Sequence, residues 1–153
     1  MPDAGYSGTP LPRKLGIGEG AAFAIVSDPG VVDELLAPLP SGARRIDDPA
    51  DAEVVVCFVT ARSDLATRLP ALGQAIFPAQ LLWIAWPKRA SGVATDVTED
   101  VVRELALPLG LVDTKVAAID ATWSGLRLVW RKELRESRPP AGRTGPAPTT
   151  RER

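Results

Sequence analysis

Short apolar runs alternate with amphipathic segments along most of the chain. Two of these runs, residues 54–60 (VVVCFVT) and residues 81–86 (LLWIAW), are apolar at nearly every position. Such runs are typical of parallel strands that helices cover on both faces. Residues 22–27 (AFAIVS) have the same character, and residues 43–46 form a weaker candidate. The pattern therefore predicts four strands in the first 86 residues.

Helical spacing occupies segments between and after these strands. Between residues 65 and 76, leucine and isoleucine recur at intervals of four, three and four, which places them on one face of a helix. Ser63 is predicted to cap this helix, and Pro70 to kink or split it. Thr98 is predicted to cap a further helix that Pro108 ends.

The two ends of this pattern predict smaller elements. Before the first strand, Thr9 and Gly16 are predicted to begin and end a single helical turn. After the last helix, residues 112–119 and 126–130 predict an antiparallel hairpin, and the link between them is longer than a two-residue turn.

Length and local composition divide the chain into three parts. The 153 residues suit one domain, and we assign a single α/β domain to residues 21–133. Residues 1–20 are an N-terminal segment that includes the short helical turn. Residues 134–153 are rich in arginine and proline and poor in large apolar side chains, so they are predicted to form a disordered basic tail.

The composition removes several classes of catalytic site. The chain contains no histidine and a single cysteine, Cys57. Catalysis by serine-histidine or cysteine-histidine pairs and metal sites that need histidine are therefore excluded, and we predict no bound metal. Cys57 lies within a predicted strand, where a thiol is usually packed and unreactive.

Charge and hydropathy restrict the cellular compartment in which the protein is expected and the partners that it is expected to bind. The formal net charge is −1, so nucleic acid is not an expected partner despite the basic tail. No apolar run approaches the ~20 residues that cross a membrane, and the first residues lack the features of a secretory signal. The single cysteine fits a reducing compartment. We therefore predict a soluble cytoplasmic protein without a membrane partner.

Strands that are joined by helices imply a three-layer α/β sandwich of the Rossmann-like class. The expected sheet is six-stranded and mostly parallel, with the C-terminal hairpin antiparallel. This order of elements, over residues 21–131, resembles the later half of the Rossmann-like methyltransferase fold. With the strands lettered a to f along the chain, the resemblance implies the spatial order b-a-c-d-f-e, with f antiparallel. It also implies that the third strand of such enzymes is missing.

Three short phrases carry a second, more specific resemblance. They are residues 6–11 (YSGTPL), residues 86–96 (WPKRASGVATD) and residues 123–127 (WSGLR). These phrases resemble a small family of uncharacterised actinobacterial proteins, a domain-of-unknown-function family with a reduced Rossmann-like, methyltransferase-like core. The resemblance covers most of residues 5–132. It implies a fold and brings no activity with it.

Ligands of doubly wound sheets bind outside the carboxyl ends of the strands, where the strand order reverses. The predicted order brings three loops to that edge: residues 27–30, 60–63 and 87–96. The third loop carries cations, hydroxyl groups and a glycine that could hold a phosphate or carboxylate, whereas nearby acids oppose an anion and favour a solvated loop. The candidate ligand-binding residues are Asp28, Gly30, Arg62, Lys88, Ser91, Gly92, Asp96 and Thr98.

Three features leave alternatives open. Residues 27–30 contain one glycine and Pro29, whereas methyltransferases and dehydrogenases need a glycine-rich loop there to approach their cofactor. Asp47 and Asp48 either stand in the place of a ribose-binding acid or form a turn beside Pro49. The four tryptophans either pack against the covering helices, which we favour, or form a protein contact.

These observations lead to hypotheses from different classes. The first is a non-catalytic Rossmann-like binding or regulatory module that acts through a protein partner or a small anionic ligand. The alternative is a reduced S-adenosylmethionine-dependent methyltransferase, because methyl transfer can depend largely on positioning. S-adenosylmethionine (SAM) would then be the cofactor, and no other cofactor is predicted. The sequence assigns no catalytic residue and does not decide whether the chain is an enzyme.

Overall fold

The computed structural model describes residues 9–135 of the chain. It contains one six-stranded sheet and four α-helices. The strands are β1 (Ala22–Val26), β2 (Arg44–Arg45), β3 (Val54–Phe58), β4 (Leu81–Pro87), β5 (Leu111–Ala118) and β6 (Trp123–Trp130). The helices are α1 (Leu11–Leu15), α2 (Val32–Leu36), α3 (Arg62–Ala75) and α4 (Glu99–Ala106), with 3₁₀ turns at Pro49–Asp51, Arg89–Ser91, Leu107–Leu109 and Lys132–Leu134.

The sheet has the strand order β2-β1-β3-β4-β6-β5. Strands β2, β1, β3 and β4 pair in parallel, whereas β6 lies antiparallel between β4 and β5. The predicted fold class and the order b-a-c-d-f-e are therefore confirmed. Every residue of β3 is buried, which explains why its sequence is apolar without alternation.

Helices cover both faces of the sheet. On one face, α3 and α4 pack on apolar side chains of the central strands, which include Val55 and Cys57 of β3 and Leu82 and Ile84 of β4; we call this the α3/α4 face. On the other, the α1/α2 face, two helices of five residues each are supplemented by loops and large side chains. The stripe predicted for α3 is confirmed, because Leu65, Leu69 and Ile76 are fully buried and Leu72 nearly so.

Several predicted details of the helices are wrong. Pro70 does not split α3, which runs without interruption over 14 residues, because the leucines on both sides of Pro70 pack against the same sheet face. Ser63 does not cap it either; Ala61 occupies the capping position, and a more distant carboxylate takes over the role of the cap. Helix α1 begins at Leu11, so Pro10 rather than Thr9 precedes it.

The hairpin is tighter than the sequence predicts. Strand β6 begins at Trp123, three residues before the predicted start at residue 126. Asp120 accounts for the difference, because its Oδ1 accepts hydrogen bonds from the amides of Thr122 (2.8 Å) and Trp123 (2.7 Å). One side chain thus forms the turn, and the residues after it are free to pair with β4.

All four tryptophans lie inside the domain, which confirms the packing interpretation. Trp83 is fully buried, and Trp86, Trp123 and Trp130 are at most 9% exposed. The indole N–H of Trp83 donates to the carbonyl of Leu15 (2.9 Å), and that of Trp130 donates to the carbonyl of Gly73 (2.8 Å). Both indoles therefore fasten the sheet to a covering helix.

The described part extends slightly beyond the predicted domain boundary. Leu134 packs against the α3/α4 face, and the Nε of Arg135 donates to the carbonyl of Trp130 (2.9 Å). The remainder of the predicted tail lies outside the described residues. Within residues 9–135, no helix combines the length and apolar character needed to cross a membrane, and no cluster of three or more acidic or cysteine side chains is placed to hold a metal ion.

Candidate functional site

The carboxyl ends of β1, β3 and β4 lie along one edge of the sheet. From β1 the chain passes to β2 on one side and then to β3 on the other, so the strand order reverses between β1 and β3. Open α/β sheets bind their ligands outside such a reversal. Candidate residues lie at this edge in three places: the β1 loop (residues 27–31), Arg62 at the start of α3, and the β4–α4 loop (residues 88–98).

The β1 loop has an unusual backbone. Ser27 has a φ of 59°, the left-handed conformation, and is the one non-glycine residue with positive φ in the described part of the chain. Gly30 also lies in the left-handed region, with a φ of 101°, and no atom lies within 4 Å of the position that a Cβ would occupy. Strained residues of this kind are typical of ligand-binding sites, and Gly30 leaves its backbone open to close approach.

The carboxylate of Asp28 is already engaged. Its Oδ1 accepts a hydrogen bond from the amide of Gly30 (2.6 Å), and its Oδ2 lies 3.0 Å from Nη1 of Arg45. The same guanidinium contacts Asp33 at the start of α2 (3.0 Å). Asp28 and Gly30 are therefore joined to each other within the loop, and Asp28 shapes the loop and leaves little of its carboxylate for a ligand.

Arg62 and Asp96 are also brought together, in a way that the sequence did not indicate. Oδ1 of Asp96 accepts a hydrogen bond from the backbone amide of Arg62 (2.6 Å), so it caps α3 from a distance of 34 residues along the chain. The guanidinium of Arg62 pairs with both carboxylate oxygens of Glu104, at 3.3 and 2.8 Å. This pairing lowers the pKa of Glu104. It also holds the guanidinium of Arg62 against α4.

Hydroxyl groups hold the β4–α4 loop in place. Oγ of Ser91 donates to the carbonyl of Lys88 (2.6 Å), and Oγ1 of Thr95 donates to the carbonyl of Thr60 at the end of β3 (2.6 Å). Oγ1 of Thr98 accepts from the amide of Val101 (3.2 Å), which confirms the predicted cap of α4. The loop is thus fastened to β3, to the start of α3 and to α4.

A cavity of about 340 Å³ lies in this loop, within the usual range for small-molecule sites. Of the eight candidates, Gly92 and Thr98 line it. Gly92 has a left-handed φ of 80° at the end of a 3₁₀ turn. Arg89 and Thr95 line the cavity as well; the sequence showed that the loop contains cations and hydroxyls, but not which of them face a cavity.

The structure also bears on the predictions made for Cys57 and Asp48. Cys57 is fully buried in β3, and burial raises the pKa of its thiol to about 12, so it is not a nucleophile at neutral pH. Asp48 forms a turn, because its Oδ1 accepts from the amide of Ala50 (2.9 Å) at the start of a 3₁₀ turn. The interpretation of this acid as a turn residue is therefore confirmed.

No protein-family model and no curated protein matches the chain. Solved structures do match it. The magnesium protoporphyrin IX methyltransferase of Synechocystis PCC 6803 with bound SAM has a TM-score of 0.50 at 10% identity, over 79% of this chain and 74% of that one. The same enzyme with bound SAH, the demethylated product S-adenosylhomocysteine, has a TM-score of 0.51 at 11% identity, over 79% and 78%.

An O-methyltransferase from neocarzinostatin biosynthesis, in complex with SAM and 2-hydroxy-5-methyl naphthoic acid, is also similar. Its TM-score is 0.51 at 12% identity, over 73% of this chain and 49% of that one, so the chain spans about half of its length. Likeness at such identities defines the fold alone. The chain therefore has the Rossmann-like fold of SAM-dependent methyltransferases.

Proposed function

We propose that the chain is a reduced SAM-dependent methyltransferase, with its cofactor at the carboxyl edge between β1 and β3. The observation that carries the proposal is the sheet order β2-β1-β3-β4-β6-β5 with antiparallel β6, since solved methyltransferases of this fold hold SAM or SAH. The reversal of strand order supplies the place for the cofactor. Membership of the actinobacterial family and a cytoplasmic location remain predictions.

The β1 loop offers a partial fit to SAM. The open backbone at Gly30 and the left-handed turn at Ser27 suit the close approach of a nucleoside. Asp28 would hold that turn through Gly30 rather than contact the cofactor itself. Pro29 has no amide to donate, so the loop presents fewer backbone donors than a glycine-rich one.

Methyl transfer makes modest demands on the protein side chains. Bound SAM supplies an electrophilic methyl group on a cationic sulfur. The contribution of the chain would be to hold an acceptor in line with this methyl group and to exclude water, and such positioning alone can supply a large part of the rate. The lack of histidine is therefore compatible with this reaction.

The test is a calorimetric titration with SAM and SAH on the full chain and on a Gly30→Ala variant. We expect saturable binding to the natural chain and at least a tenfold loss in the variant, because alanine strains the left-handed turn by about 1–2 kcal/mol and fills the open space. Gly18→Ala is the matched control, since Gly18 has open surroundings without a positive φ. If neither SAM nor SAH gives saturable heat at millimolar concentration, the proposal fails.

A non-catalytic binding or regulatory module is the second candidate. It is favoured by the state of the charged groups at the carboxyl edge: Asp28 is paired with Arg45, and Arg62 is paired with Glu104. Groups held in this way contribute to structure and are less available as acids or bases. Under this candidate, the same titration gives no heat with SAM, and the ligand is a small anion or a protein partner.

A further inference from the structure

The lining of the cavity in the β4–α4 loop includes one positively charged residue. Among the described residues that line it, Arg89 is the charged one, and no carboxylate belongs to the lining. The nearest acids in the sequence are engaged elsewhere: Asp96 accepts from the amide of Arg62, and Glu99 and Asp100 pair with Arg103 in α4. Glu99 and Asp100 thus share one guanidinium, while Asp96 keeps its negative charge but is not part of the cavity lining.

The same cavity has an apolar wall. Trp86 and Val97 contribute to it from nearly buried positions, and Val93 adds a side chain that is 43% exposed. Few large apolar side chains of the described part are so exposed. A ligand with an apolar body would cover Val93 and be stabilised by the removal of this apolar surface from water.

The loop needs little ordering before it binds a ligand. Thr95 fastens it to β3, Asp96 to the start of α3, and Ser91 closes its first turn. Binding to a preformed site avoids the entropic cost of fixing a mobile loop. Arg89 is exposed, and its guanidinium has no hydrogen-bond or ion-pair partner among the described residues.

We propose that this cavity is a binding site for a small organic anion, a carboxylate or phosphate on an apolar body, with Arg89 as the anion-binding residue and Val93 as the apolar contact. The site stands whether or not the chain binds SAM. The further step, that the anion is the methyl acceptor, rests on the proposed function.

The test is a titration of isotopically labelled full-length protein, followed by amide chemical shifts. The probes are benzoate and phenyl phosphate, with benzamide as the neutral analogue of the same shape, and SAM is absent. We expect saturable shifts in residues 89–98 with benzoate or phenyl phosphate and much weaker ones with benzamide. The tighter of the two anions identifies the ligand class, and either one supports the site.

Two variants and one control variant test the residues. Arg89→Gln should weaken anion binding about tenfold, the usual order for one charge-assisted hydrogen bond, whereas Arg44→Gln, the same charge change on exposed β2, should leave it unchanged. Ala94→Phe should fill the cavity and abolish binding of both anions while the protein stays folded. Equal binding of benzamide, equal losses in both arginine variants, or shifts confined to other residues would overturn the proposal.

A SAM titration in the same samples keeps the two proposals apart. Cofactor binding should shift the amides of residues 27–31, and anion binding those of residues 89–98. If one set of shifts is absent, the proposal for that site fails and the proposal for the other site is unaffected.

Discussion

The two faces of the sheet bury their apolar side chains against different kinds of cover. The α3/α4 face is covered by helices of 14 and eight residues, and aliphatic side chains dominate its contacts. The α1/α2 face is covered by two helices of five residues each, which have little stability of their own. The second face therefore depends more heavily on tertiary contacts to keep its cover in place.

Aromatic side chains supply many of those contacts. Trp83 fills the space between the sheet and α1 and donates its indole N–H to the carbonyl of Leu15. Phe58 and Trp123 pack edge to face, with ring centroids 5.0 Å apart and an interplanar angle of 89°. Four of the 14 buried residues of the α1/α2 cluster are aromatic, against three of 20 in the α3/α4 cluster, so the stability of the α1/α2 face is concentrated in fewer and larger side chains.

The largest expected effect comes from Trp83. We expect Trp83→Ala to lower the free energy of unfolding by about 3–5 kcal/mol, because it removes the largest fully buried side chain and leaves a cavity. Leu69→Ala on the α3/α4 face should cost less than Trp83→Ala, within the range of about 2–5 kcal/mol. Urea denaturation measures both values.

Trp83→Phe separates the contribution of the aromatic ring to stability from that of the indole hydrogen bond. It keeps an aromatic ring but leaves the buried carbonyl of Leu15 without its indole donor, so we expect a loss of about 1–3 kcal/mol. If Leu69→Ala is the more costly change, or if Trp83→Phe is as stable as the natural chain, the stability of the α1/α2 face does not rest on this indole.

The comparison also shows which features the sequence can predict. The positions of the main strands and of α3 follow from apolar runs and a helical stripe, since each is a local pattern whose period matches the element it forms. The order of the strands in the sheet followed from the resemblance to the methyltransferase fold. The hydrogen bonds of the candidate site are not local: Asp96 reaches Arg62 across 34 positions, and Thr95 reaches Thr60 across 35. Local spacing favoured Ser63 as the cap and could not reveal a carboxylate that the folded loop brings into place.

Two alanine substitutions test the hydrogen bond that caps α3, which is one of the contacts that local sequence patterns do not reveal. We expect Asp96→Ala to lower the free energy of unfolding by about 0.5–2 kcal/mol, the usual cost of losing a cap, because the amide of Arg62 loses its acceptor. Ser63→Ala is the matched control and should change stability very little, since Ser63 does not cap α3. Equal effects in the two variants, measured in urea, would restore the cap that the sequence pattern favoured.

The smallest effect is pH-dependent and concerns the edge of the α3/α4 face. The guanidinium of Arg103 in α4 donates to Oδ2 of Asp113 in β5 (2.9 Å) and holds the pKa of that carboxyl below its ordinary value. A lowered pKa in the folded state stabilises the protein above the ordinary aspartate pKa of about 3.9, and the contribution is lost as the pH falls through the folded-state pKa.

Asp113→Asn should therefore lower the melting temperature at pH 7 by less than Asp96→Ala does, and the difference from the natural chain should shrink as the pH is lowered from about 5 to about 2. Asp47→Asn is the control and should show no such convergence. Asp47 is an exposed acid that follows β2, at the opposite edge of the sheet from β5. A gap between Asp113→Asn and the natural chain that persists in acid would mean that Asp113 acts through packing or backbone contacts. The ion pair that joins α4 to the edge strand would then contribute nothing measurable to the cover of this face.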